Sequence, residues 1–357
     1  MVTAVDAADI AKPVAPKGGG LWRYILVRLL LIIPTVFILV TVVFVLMRIT
    51  GDPITAALGG RLPPDQLAER IAQAGYDRPL IVQYFEYIGG ILRGDFGTTL
   101  TDNRPVIEIL LQYGSATLEL AIYALFVALL IGIPFGLLAA YKRDRWPDAT
   151  LRIGAILGYA TPIFFVGLLL KLVFSVWLSV LPVAGRASTR TELKFASIEN
   201  PTGIYLLDAI RLGDGAAAGD VLIHAILPGV ALGILTAGIF LRLVRTNVIG
   251  TLGAQYVTSA RSRGVGEYRL VTKHAYRPAL IPIITVIGLS IALLVAGAVV
   301  TETVFGLPGV GNLVVQAVLR RDYPVIQGAL LVVAAIYVLI NFAVDMLYLA
   351  VDPRVRT

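Results

Sequence analysis

Apolar positions along the chain collect into long runs separated by short charged segments. A helix that crosses the hydrocarbon core of a bilayer needs about 20 mostly apolar residues. Six runs meet this, at roughly residues 25–48, 114–140, 150–181, 222–246, 279–301 and 325–350. The 150–181 run exceeds what a bilayer requires and is expected to tilt or to extend past it. Pro34, Pro134, Pro162, Pro228 and Pro282 fall inside runs, as spanning helices allow when neighbours satisfy the freed carbonyls. Two connecting segments are long. Within residues 50–113, Pro63-Pro64 precedes DQLAERIAQAG, which predicts a short helix starting at proline. Ile81, Phe85, Ile88 and Leu92 then recur at helical spacing, predicting an amphipathic helix that lies on the outer face and ends at the turn GDFG. Its apolar stripe is read as a cover over the bundle, with direct ligand contact as the alternative. Residues 182–221 are polar and Gly-rich and are read as a partly ordered loop.

The charged segments set the orientation. Basic residues concentrate in alternate connections: Lys12, Lys17, Arg23 and Arg28; Lys142, Arg143, Arg145 and Arg152; Arg242, Arg245, Arg261, Arg263, Arg269, Lys273 and Arg277; and Arg354 with Arg356. With six spans these all fall on one side, and the positive-inside rule makes that side cytoplasmic, together with both termini. Residues 1–22, with Asp6, Asp9, Pro13, Pro16 and Gly18–Gly20, read as a disordered cytoplasmic tail, and residues 23–357 as the membrane domain. The first apolar run is too long for a signal-peptide core and is expected to stay as a span.

Composition agrees and narrows the function. Hydrophobic residues make up 57% of the 357 and charged residues 15%, against roughly 25% charged in soluble domains; mean hydropathy is +0.84. The net charge of +7 is explained by topology, so no nucleic-acid partner is expected. There is no cysteine, and His224 and His274 lie far apart, so no metal site is expected. No lysine precedes Ser or Thr, and neither G-x-S-x-G nor H-E-x-x-H occurs. These absences argue against an ATP-binding P-loop and against hydrolase chemistry. No catalytic residues and no cofactor are expected in this chain.

The segment 247–278 interleaves arginines with Tyr256, Val257, Ala260, Gly264, Leu270 and Val271. It predicts a short amphipathic helix in which Ala260 and Gly264, four apart, share a face without bulk. Such a face allows a second protein to approach closely, and the arginines favour acidic rims. A helix lying on anionic lipid is the other reading. Lys171 lies inside the third run, where an ionisable residue is by default a functional candidate. It either faces a pathway, pairs with Glu119 or Asp345, or snorkels. At the end of the fifth run, Glu302 with Phe305, Gly306, Pro308 and Gly309 predicts a helix break from which the chain re-enters shallowly; a plain loop anchor is the alternative.

Several segments resemble the OppB/DppB class of peptide permease. They are GDP at Gly51–Pro53, DRPLIVQY at Asp77–Tyr84, GDFGTTL at Gly94–Leu100, PTGIYLLDAI at Pro201–Ile210, YVTSARSRGV at Tyr256–Val265, ETVFGLPGVG at Glu302–Gly311 and DPRVR at Asp352–Arg356. The 247–278 segment is similar to the EAA loop of ABC importer permeases, although Thr258 and Ser259 stand where that signature has Glu and its first Ala. The resemblance implies an all-α integral membrane fold of the type I ABC importer permease kind, in the bacterial cytoplasmic membrane. It implies a coupling helix of Tyr256, Val257, Thr258, Ser259, Ala260, Arg261, Arg263 and Gly264, and an external gate that takes in Glu302, Phe305, Gly306 and Pro308, with Lys171 a pathway candidate. The implied partners are a second homologous permease subunit, two ATPase subunits that bind ATP and Mg, an external peptide-binding protein and membrane lipid. The implied cargo is a dipeptide or oligopeptide; a nickel complex, glutathione, haem or a sugar is the alternative within the same class. Outside that class stand a secondary transporter, against which the lack of a convincing inverted repeat counts, and a structural membrane subunit.

Overall fold

The computed structural model describes residues 21–49, 52–60, 62–100 and 102–351. The tail expectation for residues 1–20, Gly51 and the ending Asp352–Arg356 lie outside these; Leu21 and Trp22 already belong to the first helix. The described regular structure is helical, apart from an isolated antiparallel bridge between Thr98 and Pro105. In chain order the helices are α1 Leu21–Ile49, α2 Pro53–Leu58, α3 Pro64–Gln73, α4 Leu80–Leu92, α5 Val106–Tyr141, α6 Trp146–Ala160, α7 Ile163–Leu170, α8 Thr189–Ala196, α9 Tyr205–Arg211, α10 Gly215–Leu252, α11 Gln255–Ser262, α12 Glu267–Arg269, α13 Tyr276–Phe305, α14 Val310–Arg320 and α15 Tyr323–Val351. Short π-helical stretches, Lys171–Trp177 and Leu270–Ala275, continue α7 and α12. α1, α5 and α10 are each long and apolar enough to cross a bilayer, and the bent helix pairs raise the number to as many as six.

The centre of the bundle is the seam between α5 and α10. Along α5, Ala124, Ala128, Gly132, Gly136 and Ala140 recur every fourth residue, and all are buried. Small residues at this spacing let two backbones close up where no hydrophobic effect drives helices together in lipid. A Cβ at Gly132 would lie 2.6 Å from the Phe240 Cβ, and one at Gly136 2.7 Å from the Val244 Cβ. The side chains of α10 therefore sit directly on the α5 backbone.

The 150–181 run does not form one straight helix. Its axis turns by 105° between α6 and the helix that follows. The break is at Thr161-Pro162: Thr161 is extended, with φ −82° and ψ 131°, as expected of a residue preceding proline. The segment 182–221, expected as a partly ordered loop, instead carries α8, α9 and the start of α10. Phe195, Ala209, Ala217 and Val221 form a small core there.

At the opposite end of α6, the Asp148 carboxylate is fully buried and receives two hydrogen bonds from the Arg245 guanidinium, from Nε at 2.6 Å and from the second donor nitrogen at 2.7 Å. The pair fastens α6 to α10 beside the α5–α6 turn, where the Asp144 amide also donates to Asp148 at 3.0 Å. Removing Arg245 leaves the buried carboxylate without its hydrogen-bonded partner, with only the partly exposed Arg152 at 3.6 Å. Arg245→Ala is therefore expected to cost about 3–5 kcal/mol, read as a lowered unfolding midpoint in detergent or nanodiscs.

Helix α3 begins at Pro64 as predicted, and α4 occupies the predicted amphipathic segment. Its orientation is the reverse of the expectation. Ile81, Phe85 and Leu92 are 64%, 65% and 82% exposed and Ile88 is half-buried, so most of this stripe does not cover the bundle. The inward side carries Gln83, whose amide donates to the carbonyls of Tyr76 at 3.1 Å and Arg78 at 2.6 Å, and Tyr84, whose hydroxyl meets that of Thr41 at 2.6 Å. Polar atoms with fixed partners on α1 and on the preceding loop set the rotation of α4.

Candidate functional site

The loop between α10 and α13 is an ordered hairpin of helices. Leu252, at the end of α10, packs against both the bundle cluster around Val248 and Val271 and a smaller cluster of Val257, Ala260 and Leu270. Through that second cluster α11 is tied to the long helices. Ala260 is thereby turned inward. Gly264 lies beyond the helix with φ +80°, a conformation that glycine adopts without strain. The Val265 amide donates to the Ala260 carbonyl at 3.3 Å and the Gly264 amide to the Arg261 carbonyl at 3.0 Å, while Val265 packs on the Val257–Ala260 cluster. This is a complete Schellman stop.

The bulk-free face predicted from Ala260 and Gly264 is therefore not an open face. Ala260 packs within the chain and Gly264 ends the helix. Gly264→Ala is expected to weaken the stop by about 1 kcal/mol, seen as faster exchange of the Val265 amide hydrogen.

The exposed face of α11 is made of Gln255, Thr258, Ser259 and Ser262, flanked by Tyr256 and Arg263. The Ser259 hydroxyl donates back to the Gln255 carbonyl at 3.0 Å and that of Ser262 to the Thr258 carbonyl at 3.2 Å. The surface has low relief for a different reason than expected: short hydroxyl side chains are folded onto their own helix. Arg261 donates to Glu267, from Nε at 2.5 Å and from a second nitrogen at 3.1 Å. That hydrogen-bonded guanidinium holds the Glu267 carboxyl below its ordinary pKa. A carboxylate depressed in this way contributes above its unfolded pKa and is lost only as pH falls through the depressed value. The pair therefore stays formed through the neutral range. Arg261 is thereby paired within the chain while staying about half exposed, and Arg263 beside it is exposed.

The second candidate group lies where α13 gives way to α14. α13 stops at Gly306, which has φ +62° and ψ 33°, and the axis turns 72° into α14, so the predicted helix break is present. The Glu302 side chain is fully buried. The Thr117 hydroxyl of α5 donates to Glu302 Oε1 at 2.6 Å and accepts from the Val310 amide at 2.8 Å. The Asn312 amide donates to Glu302 Oε2 at 2.9 Å. Glu302 thus caps the first turn of α14 from a neighbouring helix, where exposed amides and the helix dipole favour a negative charge. Phe305 is buried in the central cluster beside Leu120 and Leu307. Gly306 and Pro308 line a polar cavity of about 230 Å³ with Asp102, Arg104, Gln316 and Arg320.

Lys171 points at this corner from the start of its π-helical stretch. Its Nζ donates to the Val304 carbonyl at 2.7 Å and stands 5.5 Å from the centre of the Phe305 ring. It neutralises the C-terminal end of α13. Of the alternatives offered for Lys171, pairing with Glu119 is not found. Glu119 is held by Arg186, by the Tyr123 hydroxyl at 2.7 Å and by the Leu206 amide at 3.0 Å. Arg186 in turn stacks 3.8 Å above the Tyr205 ring. The Asp345 side chain lies outside the described residues. Thr117, Gly311, Arg186 and Tyr205 do not stand out as site residues from sequence alone, whereas Gly309 belongs to the predicted helix break. Gly311 lies in the ETVFGLPGVG segment; nothing in the sequence marks Thr117.

This is a polytopic helical membrane protein with the fold of a type I ABC importer permease. Residues 132–357 match the family described as binding-protein-dependent transport system inner membrane component, and residues 21–121 match its N-terminal membrane component. The chain belongs to that family of multi-pass inner-membrane proteins. It is 41% identical over 339 residues to the dipeptide transport system permease protein DppB of Escherichia coli K12, covering 94% of this chain and 98% of that one. It is 39% identical over 331 residues to the di/tripeptide permease protein DppB of Pseudomonas aeruginosa UCBPP-PA14, covering 92% and 97%. It is 36% identical over 335 residues to the glutathione permease protein GsiC of Salmonella choleraesuis SC-B67, covering 94% and 99%. Among solved structures, the inward-facing MetNI methionine ABC transporter shares the fold, with TM-score 0.50 and 18% identity, covering 68% of this chain and 96% of that chain.

Proposed function

We propose that this chain is the membrane-spanning permease subunit of an ABC importer for dipeptides or oligopeptides, forming half of the pathway beside a second, homologous permease subunit. Two ATPase subunits supply ATP binding and hydrolysis, and an external binding protein delivers cargo. In this reading the chain crosses the membrane six times with both termini in the cytoplasm. The 247–278 hairpin then lies on the cytoplasmic side, and α2–α4, α8, α9 and α14 lie outside.

The observation that carries the reading is α11. It is a short, capped helix with an exposed small-polar face, and its other face is packed through Val257, Ala260 and Leu270 onto the elements that continue α10 and precede α13. A push on such a helix moves the long helices with it rather than being absorbed by a loose loop. α11 is therefore the coupling helix, with Tyr256, Thr258, Ser259 and Arg263 meeting the ATPase and Val257, Ala260 and Gly264 holding the helix in shape. ATP-driven closure of the ATPases swings the bundle between inward- and outward-facing states, which requires ATP to bind the two states unequally.

At the far end, Glu302, Phe305, Gly306 and Pro308 form the external gate, with Lys171 steadying its hinge. No bond chemistry is assigned to this chain. The peptide cargo rests on the dipeptide and di/tripeptide relatives; the glutathione relative supports a second cargo of related chemistry. The test is co-purification and reconstitution. An ATP-hydrolysing subunit recovered with this chain, and ATP-dependent peptide uptake by the reconstituted complex, support the reading. Uptake by this chain alone, driven by a proton or sodium gradient, overturns it.

A further inference from the structure

Helix α4 sits at a definite depth. From Leu29 to Met47, α1 carries no charged residue, and Arg48 is the first that follows. The Tyr84 hydroxyl meets Thr41, seven residues before Arg48 and so about 10 Å inside that end of the apolar stretch, at 1.5 Å per residue. Phe44 packs on Tyr84 at 5.2 Å and on Tyr87 at 5.6 Å between ring centres. α4 therefore runs beside the apolar end of α1 rather than above it. Its outward stripe of Ile81, Phe85 and Leu92 is continuous with the exposed Val45 and Ile49 of α1. Between the two helices an open cavity of about 420 Å³ is lined mainly by Phe44, Val45, Ile49, Leu80 and Ile81, together with the polar Thr41, Arg48 and Tyr84. Polar groups border the stripe: Glu86 pairs with Arg78, and the Arg48 guanidinium stacks 4.3 Å from the Tyr76 ring.

We infer that α4 is an interfacial helix, seated in the headgroup–acyl boundary of the leaflet at the C-terminal end of α1, with a phospholipid acyl chain in the α1–α4 cavity. An apolar face about 5–10 Å below the headgroups, a charged edge toward water and nearby aromatic hydroxyls are what such a position demands. Lipid is the occupant we assign because the stripe continues the exposed apolar surface of α1, a helix long and apolar enough to cross the bilayer, at the same depth. The inference needs only that α1 spans the membrane, whatever the cargo or the motor; on the orientation proposed above, the leaflet is the outer one.

The absence of cysteine makes the test direct. Ile81→Cys, Phe85→Cys, Leu92→Cys and Glu86→Cys are each labelled with a nitroxide. The full-length chain is then placed in nanodiscs of phosphatidylethanolamine and phosphatidylglycerol, alone and with its co-purifying subunits. The ratio of oxygen to nickel-chelate collision is expected to be several-fold higher at positions 81, 85 and 92 than at 86. Equal ratios at all four positions would place the stripe in water and overturn the inference. Low collision with both reagents at 81, 85 and 92 would mean that a protein covers the stripe, and overturns it equally. Transport is not read, so failure here is distinct from failure of the importer assignment.

Discussion

Gly309→Ala is expected to collapse the corner where α13 turns into α14. A Cβ at Gly309 lands on the Glu302 carboxylate, and one at Gly311 would overlap the Val299 backbone. Neither neighbour can give way. The carboxylate is fixed by Thr117 and by the Asn312 amide, and Val299 lies inside α13. Overpacking of this kind costs about 1–3 kcal/mol. A displaced carboxylate also leaves the Thr117 hydroxyl and the first amides of α14 without their acceptor, at about 1–3 kcal/mol for an orphaned buried group. Together these put Gly309→Ala at about 2–6 kcal/mol, a large part of the stability of any domain. The check is the thermal midpoint in nanodiscs, with Gly219→Ala as the comparison. A Cβ at Gly219 would meet nothing within 4 Å, and its substitution is expected to leave the midpoint unchanged or slightly raised. Glu302→Ala should fall on the same side as Gly309→Ala, because it removes the acceptor itself, while Glu302→Gln keeps the shape and should cost less.

The second large effect is expected at Ser259. Ser259→Trp places an indole in the middle of the exposed α11 face without touching the Val257–Ala260–Leu270 packing. The chain should insert and fold as before, and both recovery of the ATPase and ATP-dependent uptake should be lost. Ala260→Trp makes the contrast. Ala260 is packed against the hairpin, so a large ring there should unfold α11 and lower stability as well. A variant at Gly264 is less informative for docking, because its positive φ mixes a cap defect with any steric block. Ser259→Trp with full uptake would mean that the face meets no partner.

The apolar runs make the long helices legible because lipid imposes a length and a composition on anything that crosses it. The break at Thr161-Pro162 is signalled by the proline but hidden by the apolar run that continues through it. The α5–α10 seam is also open to view, since Ala124, Ala128, Gly132, Gly136 and Ala140 repeat every fourth residue. What cannot be read is rotation about a helix axis. Spacing alone assigns the α4 stripe an inward-facing position and the Ala260–Gly264 pair a partner-facing one. In the first, Gln83 and Tyr84 find fixed partners and turn the stripe outward. In the second, the left-handed glycine ends the helix before its side of the face begins. The partners of Lys171 and Glu302 are illegible for another reason: one bonds a backbone carbonyl and the other a threonine hydroxyl and backbone amides, groups that every sequence offers everywhere. Glu119 and Arg186 lie 67 positions apart and meet only once the segment before α8 folds back on α5.

The central claim is that α11 meets an ATPase through the face centred on Ser259. The chain has no cysteine, so Ser259→Cys offers a unique site for a short, thiol-directed photo-cross-linker in membranes containing the co-expressed subunits. The account predicts an adduct between this chain and an ATP-hydrolysing subunit from position 259, and none from Glu86→Cys at the other end of the bundle. An adduct with lipid alone at 259, or an ATPase adduct formed from position 86, would contradict it.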